Sequence, residues 1–338
     1  MFYRLKSLFH YTLHHFLGDW KYFLYDEGKH EKYVILKYYN QKTNCIPSKK
    51  TIIYIANGFC NHAGLCDRLK GITALYDWSM KFGIEFRIHH IHPFDLSNYL
   101  IPNQYDWTIN EKEICYNRKW SSVNHLMLNN LVRKQIESNE IITLEKLWVH
   151  KRIKTQKKQM HFYTNMYPEN EFVFGNCFQI LFKPSPKLEK ALNLHQEVIG
   201  GSYISISFRF VQLLGDFKDC DGITLSSEDQ ENLIIRSIEV IKKIRKNNPT
   251  IPKILITADS STFLERARIL PYAYIIEGRT GHINFENSDE VNMKTFLDFL
   301  MISKAQKVYL AKSFNMYNSD FARRAAMINN RPFELFKY

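Results

Sequence analysis

Arg209 leads the residues of this chain that could do chemistry. It lies near the end of an alternating run, Tyr203–Phe210 (YISISFRF), with Gly215 and Asp216 beyond it. A planar guanidinium there can grip a phosphate through parallel hydrogen bonds and steady the charge of a departing diphosphate. Two later strand ends are also polar. Thr257-Ala258-Asp259-Ser260 follows the run KILIT, and Asp259 could accept from ribose hydroxyls or a base. Ser313–Ser319 enters the last helix, where backbone N–H groups and the Ser319 hydroxyl suit a phosphate. His282, in EGRTGHINFE, is a further candidate for the same region. Singly, each has a plainer reading: an Arg after a strand makes a surface ion pair, and a Ser before a helix caps it. Three such ends on successive strands of one sheet mark the edge where open α/β sheets take ligands.

The elements that must position these groups alternate strand and helix. In the first half Thr51–Ala56 (TIIYIA) reads as a strand, then comes a loop holding His62 and Gly64. A helix follows from Leu65 to Phe82, then a strand from Glu85 to His90. Leu65, Leu69, Ile72, Leu75, Tyr76 and Phe82 share one helical face, with Asp67, Lys70, Asp77 and Lys81 opposite. His90 and His92 have the spacing of one strand face, but a metal site needs more ligands and Pro93 ends the strand. YVILKYY (33–39) reads as a short strand, residues 99–107 as loop, and 120–137 and 141–149 as helical. A helix starts after Pro184 and Pro186. In the second half 203–210, 253–257, 273–276 and 307–310 read as strands, and 261–268, 294–304 and 318–329 as helices. Residues 227–247 are helical, with Ser227 as N-cap and Gln230 as its partner. Short links between alternating elements call for parallel sheets. The expected fold is α/β, with two Rossmann-like domains facing a cleft, 1–195 and 196–338.

The chain has 338 residues, 45% of them hydrophobic, enough for two ordinary domains with real cores. A formal charge of +12 favours anionic partners. No nucleic-acid module is recognisable, and the basic residues are dispersed rather than striped. Six scattered cysteines without a C-x-x-C pair suit reduced thiols in a cytoplasmic setting, while their even number leaves a secreted, disulfide-bonded chain open. The first twenty residues are apolar but interrupted by Arg4, Lys6 and three histidines, too broken to span a membrane. Leu5, Phe9, Leu13, Phe16 and Leu17 share a helical spacing, which suits packing on the protein's own core or lying on an anionic membrane.

These motifs in series resemble the fucosyltransferase superfamily of the GT-B type, which includes α-1,6-, nodulation and protein O-fucosyltransferases. Gly64-Leu65-Cys66-Asp67-Arg68-Leu69 resembles the family's G-x-G-N/D-x-L loop, with Cys66 at the second glycine. Ser207-Phe208-Arg209 resembles its H-x-R-R-x-D strand end, with Ser207 for the histidine and the acidic residue delayed to Asp216. Thr257-Ala258-Asp259-Ser260 is similar to T-D-D/S with one residue inserted, and Ser319-Asp320-Phe321 to S-x-F. The order holds over roughly residues 50–332. The resemblance implies inverting transfer of a sugar, fucose first, from a GDP-sugar donor to a hydroxyl, with no metal and no cofactor besides that donor. By it, Arg209 holds the β-phosphate, Asp259 binds the nucleoside and Ser319 contacts a phosphate. The donor side also takes in Gly64, Asp216, Ser260 and His282. Candidates for the general base are Asp67, His62 and Asp216, in that order. The acceptor expected is a surface glycan or its lipid-linked precursor, met in the cytoplasm at the inner face of a membrane. The alternative is a non-catalytic nucleotide- or glycan-binding protein of the same fold, for which Ser207 and Cys66 leave room.

Overall fold

The computed structural model describes residues 32–39, 45–127, 146–147, 149–166, 170, 172–217, 223–282, 286–313 and 315–338. The N-terminal amphipathic segment lies outside them. They form two compact units: one runs to His92 and resumes over Tyr105–Val173, and the other combines Pro93–Gln104 with Phe174–Tyr338. The chain thus passes between units at 173/174, whereas the boundary expected from the proline-marked connector was 195/196.

In the first unit four parallel strands lie in the order β2-β1-β5-β4: β1 Thr51–Ala56, β2 Glu85–His90, β4 Ser121–Leu126 and β5 Gln159–Thr164. Every residue of β1 is buried, as befits a central parallel strand covered on both faces. Helix α2 (Leu65–Lys81) crosses the end of β5 so closely that a Cβ at Gly71 would stand 2.4 Å from the Thr164 carbonyl oxygen. Glycine is required there although it weakens a helix.

Two assignments change. Residues 32–38 form a helix, α1, not a strand. Val34 and Tyr38, one turn apart, are buried on Ile53, Ile55 and Tyr163, while Tyr33 and Leu36 are exposed. Helical spacing therefore overrides the β propensity of the run. Ser121–Leu126 is strand rather than helix, because its groups pair along the whole of β5. The rest of the stretch expected to be helical falls mostly outside the described residues. β5 itself was not read from the sequence.

A buried relay ties α1 to this sheet. The Gln159 Oε1 accepts from the Cys115 amide (2.8 Å) and from His161 Nε2 (2.9 Å), so His161 Nδ1 is left to accept from the Tyr38 hydroxyl. Burial, with His89 adding to it, pushes the His161 imidazole down to about 3. An unfolded histidine titrates near pH ~6.5, so between that value and about 3 the unfolded chain binds more protons. Stability is therefore full above the unfolded value and is lost as pH falls, by about 1.4 kcal/mol per pH unit for this one group. Urea titrations monitored by near-ultraviolet circular dichroism should show that slope, and it should flatten in His161→Gln. An acid-insensitive midpoint would disprove the relay.

In the second unit five parallel strands lie in the order β11-β10-β7-β8-β9: β7 Tyr203–Phe208, β8 Lys253–Ala258, β9 Ala273–Tyr274, β10 Val308–Lys312 and β11 Phe333–Lys337. The chain starts in the middle at β7, steps outward through β8 to β9, then returns to the other side with β10. The strand order thus reverses between β7 and β10. A small antiparallel pair, β3 (Leu100–Pro102) with β6 (Phe182–Pro184), occupies part of the stretch expected to be loop. Edge strand β11 was not anticipated.

Among the described residues six α-helices complete the unit: α3 Val173–Leu181, α4 Pro186–Ile199, α5 Ser227–Asn247, α6 Ser261–Ala267, α7 Asp289–Lys304 and α8 Phe321–Ile328. The N-cap of α5 is Ser226, not Ser227: its Oγ accepts from the Asp229 amide at 3.2 Å. Helix α7 starts five residues earlier than expected, where Ser288 accepts from the Val291 amide. Leu233, Ile234, Val240, Ile241 and Ile244 of α5 join Ile204, Ile206, Phe208 and Ile256 in the core.

Candidate functional site

The carboxyl edge of the second sheet gathers the groups marked in the second half of the sequence. β7 ends at Phe208, and Arg209 leaves it with a side chain 22% exposed. Its Nη1 meets Asp259 Oδ2 at 3.1 Å. Its guanidinium lies over the Phe217 ring, 4.5 Å from the centroid. The fork is held by a carboxylate and an aromatic face instead of sweeping solvent.

Asp259, beyond the end of β8, is almost fully buried. Its Oδ1 accepts from the Phe210 amide and its Oδ2 from the Val211 amide, both at 2.8 Å. Val211 has φ +58°, a left-handed conformation rare for a β-branched residue and strained by roughly 1–3 kcal/mol. Burial raises the Asp259 carboxyl above its ordinary range, against the pull of Arg209 and the two amides. The carboxylate thus fastens the turn after β7 and aims Arg209. The nucleoside contact expected of it would use the lone pairs that these donors leave.

Asp216 and Ser260 form a second fastening. The Ser260 hydroxyl accepts from the Phe263 amide (3.1 Å), capping α6, and donates to Asp216 Oδ2 at 2.8 Å. The same Oδ2 accepts from the Thr262 amide at 2.8 Å. Asp216 therefore sits at the positive end of α6, and Ser260 is a buried cap. Ser207, at the position of the family's histidine, is buried and shares a 2.8 Å hydrogen bond with Thr257, its neighbour across the β7–β8 register. The His282 ring stands edge-on to Phe217 at 6.4 Å. Thr280, two residues before His282, reaches the Asp259 carbonyl at 3.5 Å.

The loop after β10 completes the edge. The Tyr317 amide donates to the Arg209 carbonyl at 3.2 Å, tying this loop to the turn after β7. Ser319 is half-buried, and its Oγ accepts from the Phe321 amide at 3.2 Å, at the head of α8. Arg209, Asp216, Asp259, Ser260, His282 and Ser319 thus share one edge, and the strand reversal between β7 and β10 falls at its centre, where such sheets bind ligands.

The first unit carries the other marked groups. Gly64 is the N-cap of α2, without a side-chain cap bond. Asp67 is paired with Lys70 at 2.8 Å and keeps 29% of its side chain exposed. His62 is buried between the rings of Tyr54 and Tyr163. Burial pushes its imidazole well below the ordinary value, and Arg68 adds to the shift, so it is neutral at pH 7. Cys60 Sγ lies 3.8 Å from His62 Nδ1. Sequence reasoning missed Arg68, which is 2% exposed. Its Nε donates to the Ala63 carbonyl and its Nη1 to the His92 carbonyl, both at 3.2 Å. Arg68 thereby fixes a loop in which Ala63 has φ +62°. Its signal was its register: Arg68 stands three residues after Leu65 and four before Ile72, on the buried stripe. His90 ends β2 with Nε2 3.5 Å from Arg68 Nη1, and His92 lies past the strand end with its ring against Gly58, so the two do not form a strand-face pair.

Among the described residues no three His, Cys, Asp or Glu side chains gather as a metal-holding group. Asp219 and Asp221 have the D-x-D spacing found in metal-dependent transferases and lie outside the described residues. No disulfide joins the five described cysteines. No described helix is long and apolar enough to cross a membrane.

No family model matches the sequence, and no curated protein matches it. Solved structures do. NodZ α-1,6-fucosyltransferase, in a crystal soaked with GDP-fucose, is 12% identical, with a TM-score of 0.51 over 83% of this chain and 93% of that one. Fucosyltransferase NodZ from Bradyrhizobium is 14% identical, with a TM-score of 0.52 over 82% and 92% of the two chains. At such identity the likeness is one of fold, and this chain has the GT-B architecture of those enzymes, two Rossmann-like units each built on a parallel sheet.

Proposed function

We propose that the chain is an inverting, metal-independent glycosyltransferase that moves a sugar, fucose first, from a GDP-sugar to a hydroxyl of a glycan or lipid-linked glycan. The observation that carries this reading is Arg209 at the strand reversal of the second sheet, pinned by Asp259 and Phe217. A cation held rigid before the donor arrives needs no reorganisation as charge grows on a leaving diphosphate, which is how fixed charges lower barriers. The fold is that of NodZ, a fucosyltransferase crystallised with GDP. Ser319 and the head of α8 supply further donors for phosphate oxygens. Asp67 is kept as general base: it is the more exposed of the two first-unit candidates, and His62 is too strongly depressed to hold a proton well at pH 7. In this reading the enzyme works in the cytoplasm, and the +12 charge draws it to an anionic membrane face.

A non-catalytic nucleotide or glycan binder of the same fold is the second reading. It is favoured by the occupation of the acidic candidates: Asp67 pairs with Lys70, and Asp216 accepts from the Thr262 amide in the first turn of α6. Titration calorimetry with GDP, UDP, CDP and ADP in the presence of EDTA tests the first reading. Binding of GDP alone, without metal, is the expected result. A preference for another nucleotide overturns the donor, and a requirement for divalent cation overturns the metal-free mechanism. Binding of GDP without turnover of GDP-fucose on any acceptor supports the second reading.

A further inference from the structure

We propose that Tyr317 is the stacking platform for the planar base of the donor nucleotide; this rests on the donor site assigned to the second unit. Three observations converge on it. First, the Tyr317 amide is bonded to the Arg209 carbonyl at 3.2 Å, so the residue stands beside the phosphate-binding cation and across the β10–β7 reversal. Second, its neighbour Met316 is anchored inward. Met316 is buried in the core of the unit, and its sulfur accepts from the Ser313 amide at 3.4 Å and from the Tyr338 hydroxyl at 3.2 Å. With Met316 locked below, the loop presents Tyr317 outward, and its side chain is left 62% exposed at the ligand edge. Third, Phe217, an aromatic beside Arg209 among the described residues, lies under the guanidinium.

A nucleotide held by its phosphates at Arg209 needs a separate surface for its base. Stacking on an aromatic ring suits any base, because every base offers a π-face, and it is worth roughly 1–3 kcal/mol per base on alanine substitution. Tyr317 offers that surface on a backbone bonded to that of Arg209.

The test is calorimetry of the full chain and of Tyr317→Ala and Tyr317→Phe, each titrated with GDP and with inorganic pyrophosphate. Tyr317→Ala should bind GDP about tenfold more weakly or worse. It should bind pyrophosphate as the parent does, and Tyr317→Phe should bind GDP like the parent. An unchanged GDP affinity in Tyr317→Ala overturns the platform while leaving the donor site standing; a ring that served the sugar or acceptor would give that result. Equal losses for GDP and pyrophosphate overturn it too, showing a loop that has collapsed around Arg209. A parent chain that binds neither removes the donor site itself.

Discussion

Arg209→Lys is expected to lower sugar transfer by about 10³-fold and to leave the melting temperature within about 3 °C of the parent. Lysine keeps a positive charge near Asp259, so the buried carboxylate retains a counter-charge as well as its two amide donors. It removes the planar fork, and with it bidentate contact to a phosphate and the flat stack on Phe217. Alanine would be the blunter probe, because it strips the guanidinium from a buried carboxylate and loses stability together with activity. Rates on GDP-fucose with a panel of acceptors, read beside thermal melts, separate the two effects. A fully active Arg209→Lys would remove the main catalytic assignment.

Asp259→Ala should destabilise the second unit by about 3–5 kcal/mol, the usual loss when one partner of a buried charged pair is removed. Three donors lose their acceptor at once: the Phe210 and Val211 amides and the Arg209 guanidinium. Val211 also loses the bond that holds it in the left-handed region. Asp259→Asn tests the role more finely. Its amide nitrogen must face one of the two backbone donors, so it should unfold at lower urea and also bind GDP more weakly through a misaimed Arg209. If Asp259 instead touches the nucleoside directly, Asp259→Asn would weaken GDP binding with the unfolding midpoint unmoved.

The second half of the fold was legible because its signals are local. Alternating apolar residues in Tyr203–Phe208 and Lys253–Ala258 make strands, and the periodic stripe of Ser227–Asn247 makes a helix. In parallel sheets such segments place their following loops on one edge, so Arg209, Asp259 and Ser319 could be grouped from order alone. Parts of the first half resisted for the opposite reason. Val34 and Tyr38 form a helix because they meet Ile53, Ile55 and Tyr163, and Ser121–Leu126 is a strand because β5 lies beside it. Neither partner is near in sequence.

Residue types and order in the sequence by themselves marked the side chains that follow β7, β8 and β10 at the carboxyl edge of the second sheet. The tertiary structure alone decided what those side chains are bonded to. Asp259 accepts from amides 49 and 48 residues away. Asp216 accepts from an amide at the head of α6, and Arg68 locks the loop after β1. The physical reason is one of range. Backbone periodicity is written in neighbours three or four residues apart, whereas the partners of a buried charge come from whichever distant strand or loop the fold brings within hydrogen-bond reach.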